Sequence, residues 1–162
     1  KNIENISAPP GRMEFIGDKK GAKIYVDYAH TPDALKNVLI SIRPYVSGKL
    51  CIIFGCGGDR DTGKRPIMGK IAHNYADIIY ITDDNPRNED SEVIRKSIIT
   101  SCPNAIEIAD RRIAIFSAIK VIKEGDILLV LGKGNEETQI VKNNYKYFSD
   151  KEEILSVLSR DH

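Results

Sequence analysis

The chain has no charge excess of either sign: 24 Lys and Arg stand against 23 Asp and Glu in 162 residues. Proteins that grip nucleic acid or acidic membranes by their overall field carry a basic excess or stripe. Those classes are therefore set aside, and the function belongs to a local site. Cysteine is scarce: Cys51, Cys56 and Cys102 are an odd set without a C-x-x-C pair. Neither a disulfide framework nor a zinc site is signalled, and the three read as small buried hydrophobes in a reducing compartment. No apolar run approaches the ~18 residues of a membrane span. Internal repeats and low-complexity tracts are also missing.

What is there begins with a polar run, KNIENISAPPG, from Lys1. It lacks the apolar core of a secretory leader and reads, over residues 1–10, as a linker from a preceding domain. The expectation is one domain over 11–162, cut from a longer cytoplasmic protein. RMEFIG (12–17) and AKIYVDY (22–28) read as strands joined by a turn, and Thr31-Pro32 as an N-cap with proline in the first helical turn. The apolar runs LCIIFG, DIIYIT, AIEIA and DILLVLG then alternate with helices expected near 66–75, 91–101 and 111–123. Asn143-Asn144 reads as the turn of a hairpin between QIVK and YKYF. Ser149 to Glu152 has capping-box spacing for a last helix.

Strands that are apolar throughout, alternating with helices, indicate a parallel sheet covered on both faces. The fold class is an α/β, open, doubly wound, Rossmann-like and mostly parallel sheet, with the hairpin as an antiparallel C-terminal edge. Ligands in such folds sit beyond the carboxyl ends of the strands. The loops there are VDYAHTPDA, GCGGDRDTGKRP, TDDNPRNED and LGKGNEETQ, and they hold most of the unusual residues.

GCGGDRDTGKRP comes close to a phosphate loop, since Gly58 to Lys64 reads G-x-x-x-x-G-K. Arg65 stands where a magnesium-binding hydroxyl is needed, and Gly55 ends the strand well before Gly63-Lys64. A dinucleotide motif fails at Arg60, where glycine is required. The glycines instead allow close backbone approach, and Arg60 offers a planar fork for carboxylate or phosphate. An ion pair between Arg60 and Asp59 or Asp61 is the alternative. Lys64 and Arg65 read as surface or domain-contact residues.

In DDNPRNED, Pro86 biases Asn85 toward extended backbone, so Asp83, Asp84, Asn85 and Arg87 project from a stiffened turn. In LGKGNEETQ, glycines flank Lys133 and Glu136 follows. Guanidiniums and carboxylates gathered at one edge suit a zwitterion, an amino acid's ammonium and carboxylate. A solvated salt-bridge network would use the same residues.

PGRMEFI, VDYAHTPDAL, FGCGGDRDTGKRPIMG, TDDNPRNE and LGKGNEETQIV, from about Pro10 to Asp150, together resemble the C-terminal domain of Mur ligases. The likeness is nearest to the members that add the third residue of the peptidoglycan stem peptide. The resemblance implies a Rossmann-like domain that brings in the incoming amino acid for ATP-dependent amide formation on a UDP-N-acetylmuramoyl-dipeptide. ATP and Mg2+ would be held mainly by a central domain outside this chain. It also implies that Asp84-Asn85-Pro86-Arg87 marks meso-2,6-diaminopimelate as the substrate, with Arg87 on its distal carboxylate. Asp84, Asn85 and Glu136 would hold the distal ammonium and its surroundings, Gly132 would offer backbone, and Arg60 a second carboxylate contact. Arg12, Asp27 and His30 match positions that close over the nucleotide, although Glu14 offers Arg12 a local partner. The family's G-K-G-H-E has Asn135 in place of its histidine here, and asparagine does not titrate near neutral pH. Two other readings are a folylpolyglutamate synthase-like C-terminal domain and a free-standing amino-acid-binding module without a catalytic partner.

Overall fold

The computed structural model describes residues 9–161, so most of the linker expected over 1–10 lies outside the described residues. The chain opens with β1 (Glu14–Lys19) and β2 (Ala22–Asp27), joined by Lys20 and Gly21. Both turn residues have positive φ, 49° and 92°, which suits a tight antiparallel hairpin. Then follow α1 (Pro32–Ile42), β3 (Leu50–Phe54), α2 (Lys64–Tyr75), β4 (Ile78–Ile81) and α3 (Ser91–Ile99). The remainder is β5 (Ile106–Glu107), α4 (Arg111–Val121), β6 (Ile127–Leu131), β7 (Thr138–Val141), β8 (Asn144–Tyr147) and α5 (Asp150–Arg160). The expected caps form: Thr31 accepts from Ala34 N, Asp110 from Ile113 N, and Ser149 from Glu152 N.

Six strands make one sheet in the order β1-β2-β6-β3-β4-β5. All neighbours run parallel except β1 against β2. The mostly parallel α/β architecture is as expected, but the antiparallel edge of this sheet is the N-terminal strand. The β7–β8 hairpin also forms, as a separate two-stranded sheet tied to the DNPR loop by a bridge between Arg87 and Val141. Every residue of β8 is exposed, so the hairpin has no second apolar face to bury inside a covered sheet.

Alternate residues of the inner strands point to opposite faces. Leu50, Ile52 and Phe54 of β3 pack with α1, α2 and α3, whereas Cys51 and Ile53 pack with α4 and α5. The three cysteines are buried. Burial, the main cause, pushes the Cys51 thiol up to about 12 and Cys56 and Cys102 to about 11. They therefore stay protonated at neutral pH and pack as small hydrophobes.

Arg111 at the start of α4 and Asp150 at the start of α5 are both fully buried. Arg111 Nε donates to Asp150 Oδ1 at 2.7 Å and Nη2 to Oδ2 at 2.8 Å, with Nη2 also reaching Leu131 O at 3.0 Å. Burial works to lower the pKa of Arg111, yet the charge and hydrogen bonds of Asp150 carry it above its ordinary value. This pair fastens two helix starts to the carboxyl end of β6. Because β6 lies between β2 and β3, the loops after β2, β6, β3 and β4 meet at one edge.

Candidate functional site

The four loops enclose a cleft of about 720 Å³. Of the residues singled out from sequence, Arg60, Asp84, Asn85, Arg87, Gly132, Glu136 and His30 line it. Pro86 is buried behind the lining, and Arg12 and Asp27 stand outside it.

The glycine loop after β3 is pressed against the DNPR loop after β4. Gly58 N donates to Asn85 O at 2.8 Å. A Cβ at Gly58 would stand 1.9 Å from Pro86 O, a backbone atom that cannot swing aside. Gly58→Ala is therefore expected to cost about 1–3 kcal/mol, the usual scale of forced overpacking. A thermal melt matching the parent chain would refute this account of the loop.

Arg60 does not take the local ion pair. Its Nη1 donates to the backbone carbonyl of Asp59. The Asp59 carboxylate accepts from Asn88, and Asp61 from Gly63 N. The guanidinium thus keeps donors for the cleft. Arg65 corrects the surface reading: it is 2 % exposed and pairs with Glu89 at 2.7 Å while donating to Gly57 O. The hydrogen bonds from Arg65 and from Asp59 N hold the Glu89 carboxyl below its usual range. This ion pair staples the start of α2 to the DNPR loop. Lys64 does line the cleft, and its Nζ donates to His30 O at 2.9 Å.

The DNPR loop is held from three sides. Asp83, expected to project with its neighbours, turns away to Arg95 at 2.6 Å. Burial keeps its carboxyl above the usual value even beside that partner. Asp84 faces the cleft, close to Gly132, where φ is +110° and a Cβ would stand 2.9 Å from Asp84 Oδ2. Asn85 Oδ1 accepts from Lys133 Nζ at 3.0 Å and Ile140 N at 2.9 Å.

Arg87 has a left-handed backbone, φ 51°, a conformation non-glycine residues hold only when their surroundings fix it. The hairpin does so: Arg87 N donates to Ile140 O, and Lys142 N to Arg87 O at 2.7 Å. Gln139 Nε2 adds a bond to Asp84 O at 2.9 Å. Arg87 Nη1 reaches Gly58 O, while its side chain lines the cleft beside Arg60.

At the opposite rim the Arg12 guanidinium lies 5.6 Å from the centroid of Tyr28. His30 packs edge-on against the same ring at 4.5 Å. Glu14 accepts instead from Gly11 N and Lys151 Nζ. Both Asp27 oxygens are taken by backbone, from Met13 N and Ala29 N at 2.8 Å each. Asp27 thus frames the rim that Arg12, Tyr28 and His30 present.

Sequence reasoning gave no site role to Tyr28, Lys64 or Lys133. Tyr28 and Lys64 sit in loops already singled out, and their place after strand ends was the available signal. Lys133 lies between two glycines directly after an all-apolar strand, a position that puts a charge under the cleft.

The sequence matches the family model for the Mur ligase, glutamate ligase domain, over residues 11–134. A UDP-N-acetylmuramoyl-L-alanyl-D-glutamate–2,6-diaminopimelate ligase from Mesorhizobium japonicum is 52 % identical over 157 residues, 96 % of this chain and 32 % of that protein. The ligase of the same name from Agrobacterium fabrum is 51 % identical over 98 % of this chain and 33 % of its own length. The chain thus spans about a third of the length of the curated relatives it matches. A solved structure of a ligase so named superposes with a TM-score of 0.88 at 41 % identity, covering 97 % of this chain and 33 % of that one. The bifunctional folylpolyglutamate synthase/dihydrofolate synthase of Yersinia pestis shares the fold, with a TM-score of 0.63 at 18 % identity over 78 % of this chain and 29 % of that one. The chain belongs to the Mur ligase, glutamate ligase domain family.

Proposed function

We propose that this chain is the amino-acid-binding domain of an ATP-dependent ligase that joins meso-2,6-diaminopimelate to UDP-N-acetylmuramoyl-L-Ala-D-Glu during peptidoglycan synthesis in the cytoplasm. The observation that carries the reading is one cleft lined by two guanidiniums, Arg60 and Arg87, and three carboxylates, of which Asp61 already accepts from Gly63 N and Asp84 and Glu136 face the DNPR side. The names borne by relatives about half identical to the chain favour the same ligand.

On this reading Arg87 takes the distal carboxylate of the diamino acid, and Asp84 and Glu136 its distal ammonium. Gly132 leaves room for backbone contact, and Arg60 adds a second carboxylate contact. Asn85 and Pro86 give the clamp its shape. Held by these charges, the reacting amine is carried toward the carboxyl group it must join, which replaces a bimolecular search by fixed proximity. The amine nitrogen forms the C–N bond and gives up a proton as the activated carboxyl loses its leaving group.

ATP with magnesium supplies that activation when bound. On this reading both are held mainly by a central domain outside this chain. Arg12 and His30, on the frame set by Asp27, offer a cation and a ring to a nucleotide at the domain interface. The nearly balanced charge gives no footing for nucleic acid. No helix among the described residues is long and apolar enough to cross a membrane.

The test is ligation by the full ligase with diaminopimelate or lysine as the amine. Lysine lacks the distal carboxylate and would leave a desolvated guanidinium unmatched, so kcat/KM should fall by roughly 10³ or more. Lysine turned over within tenfold of diaminopimelate would overturn the reading.

A further inference from the structure

Lys133 has no exposed surface, and its Nζ lies 3.0 Å from Asn85 Oδ1, 3.8 Å from Asp84 Oδ1 and 3.7 Å from Glu136 Oε2. All three partners are side chains that line the cleft. Arg111, the neighbouring buried cation, is arranged differently: it binds Leu131 O and both oxygens of Asp150, none of which lines the cleft. One cation fastens the framework, and the other is spent on the lining.

We infer that Lys133 is a positioning residue, whose buried ammonium sets Asn85, Asp84 and Glu136 for one ligand carboxylate and one ligand ammonium. The inference rests on the reading given under Proposed function. Two features support it. Both groups bonded to Asn85 Oδ1, Lys133 Nζ and Ile140 N, are donors, so they fix which end of the amide is the oxygen. The other end, Nδ2, is a donor, and Asn85 lines the cleft near Arg87, where a donor suits a carboxylate.

The second feature is charge. Asp84 and Glu136 are like charges, and Lys133 stands within 4 Å of each. It offsets one of them and leaves a single negative charge, the complement of one ammonium. Arg111 also acts on both acids through space, but its own charge is already matched by Asp150 at 2.7 Å. Without Lys133 the two like charges would stand unopposed and spread apart, which loses a contact to the ligand.

The experiment is steady-state kinetics of the full ligase with K133M and K133Q, each checked by thermal melting. The expected result is a KM for diaminopimelate raised tenfold or more, with kcat at saturation and KM for ATP within threefold of the parent. A purely structural lysine would instead lower the melting temperature and the active fraction, leaving KM unchanged. Should the Met variant lose its cooperative melt, the Gln variant, which keeps a donor, carries the test. Unchanged KM in either folded variant overturns the inference, and so does loss of folding in both. Failure of the parent enzyme to use diaminopimelate would instead overturn the functional reading beneath it.

Discussion

Arg87→Ala in the full ligase is expected to cut kcat/KM for diaminopimelate by about 10³, leaving KM for ATP within threefold. Truncating one partner of a buried, hydrogen-bonded charge pair costs about 2–5 kcal/mol, and each ~1.4 kcal/mol is a factor of ten. The backbone does not confound the comparison. Alanine meets the same left-handed strain as arginine at φ 51°, and the hairpin bonds to Arg87 N and O involve no side chain. Arg87→Lys should recover little, because an ammonium cannot reproduce the two-pronged guanidinium contact. The assay is initial-rate kinetics with each amine varied at saturating ATP. Wild-type diaminopimelate kinetics in the Ala variant would remove Arg87 from the clamp.

The second large effect is on stability. Asp150→Asn keeps the shape of the side chain but leaves Arg111 charged and unmatched in a fully buried place. Breaking one side of such a pair costs about 3–5 kcal/mol, which for a domain of this size lowers Tm by ~10 °C or more. Replacing both partners, as in Arg111→Met with Asp150→Leu, should recover most of that loss, since an apolar pair of similar volume carries no desolvation penalty. Leu131 O would still lose its donor, a residual cost of about 1 kcal/mol. Thermal melts of the 162-residue chain decide the matter. A single variant melting with the parent would show that the ion pair does not hold the sheet edge.

Much of the fold was legible because its signals are local. Thr31-Pro32 and Ser149 to Glu152 mark helix starts whatever surrounds them, and the chain begins α1 and α5 there. LCIIF and ILLVL are apolar without alternation, and both are buried throughout. The gathering of Arg60, Asp84, Arg87 and Glu136 followed from the strand-end rule together with the family resemblance. What stayed hidden depends on distant partners. Arg65 reads as a surface or domain-contact charge until Glu89 arrives from the next loop, and Asp83 reads as projecting with its neighbours until Arg95 claims it. The hairpin reads as a sheet edge because its alternation is genuine, yet its docking is decided by Asn85 and Arg87. Strand AIEIA shrinks to Ile106 and Glu107, which pair with Tyr80 and Ile81 at the end of β4.

The place of β6 also governs when the domain can form during synthesis. Ile127 pairs with Lys23 on one side and Leu50 on the other, so the last strand of the sheet to leave the ribosome fills its centre. Until then β2 and β3 have no common neighbour, and each shows an unpaired inner edge. Non-local pairing of this kind delays folding and exposes sticky edges. A nascent chain that stops short of Leu131 is accordingly a candidate for chaperones rather than a partial binder. Gly132 and Glu136 follow shortly after, so the strand that closes the sheet also delivers the last residues that line the cleft.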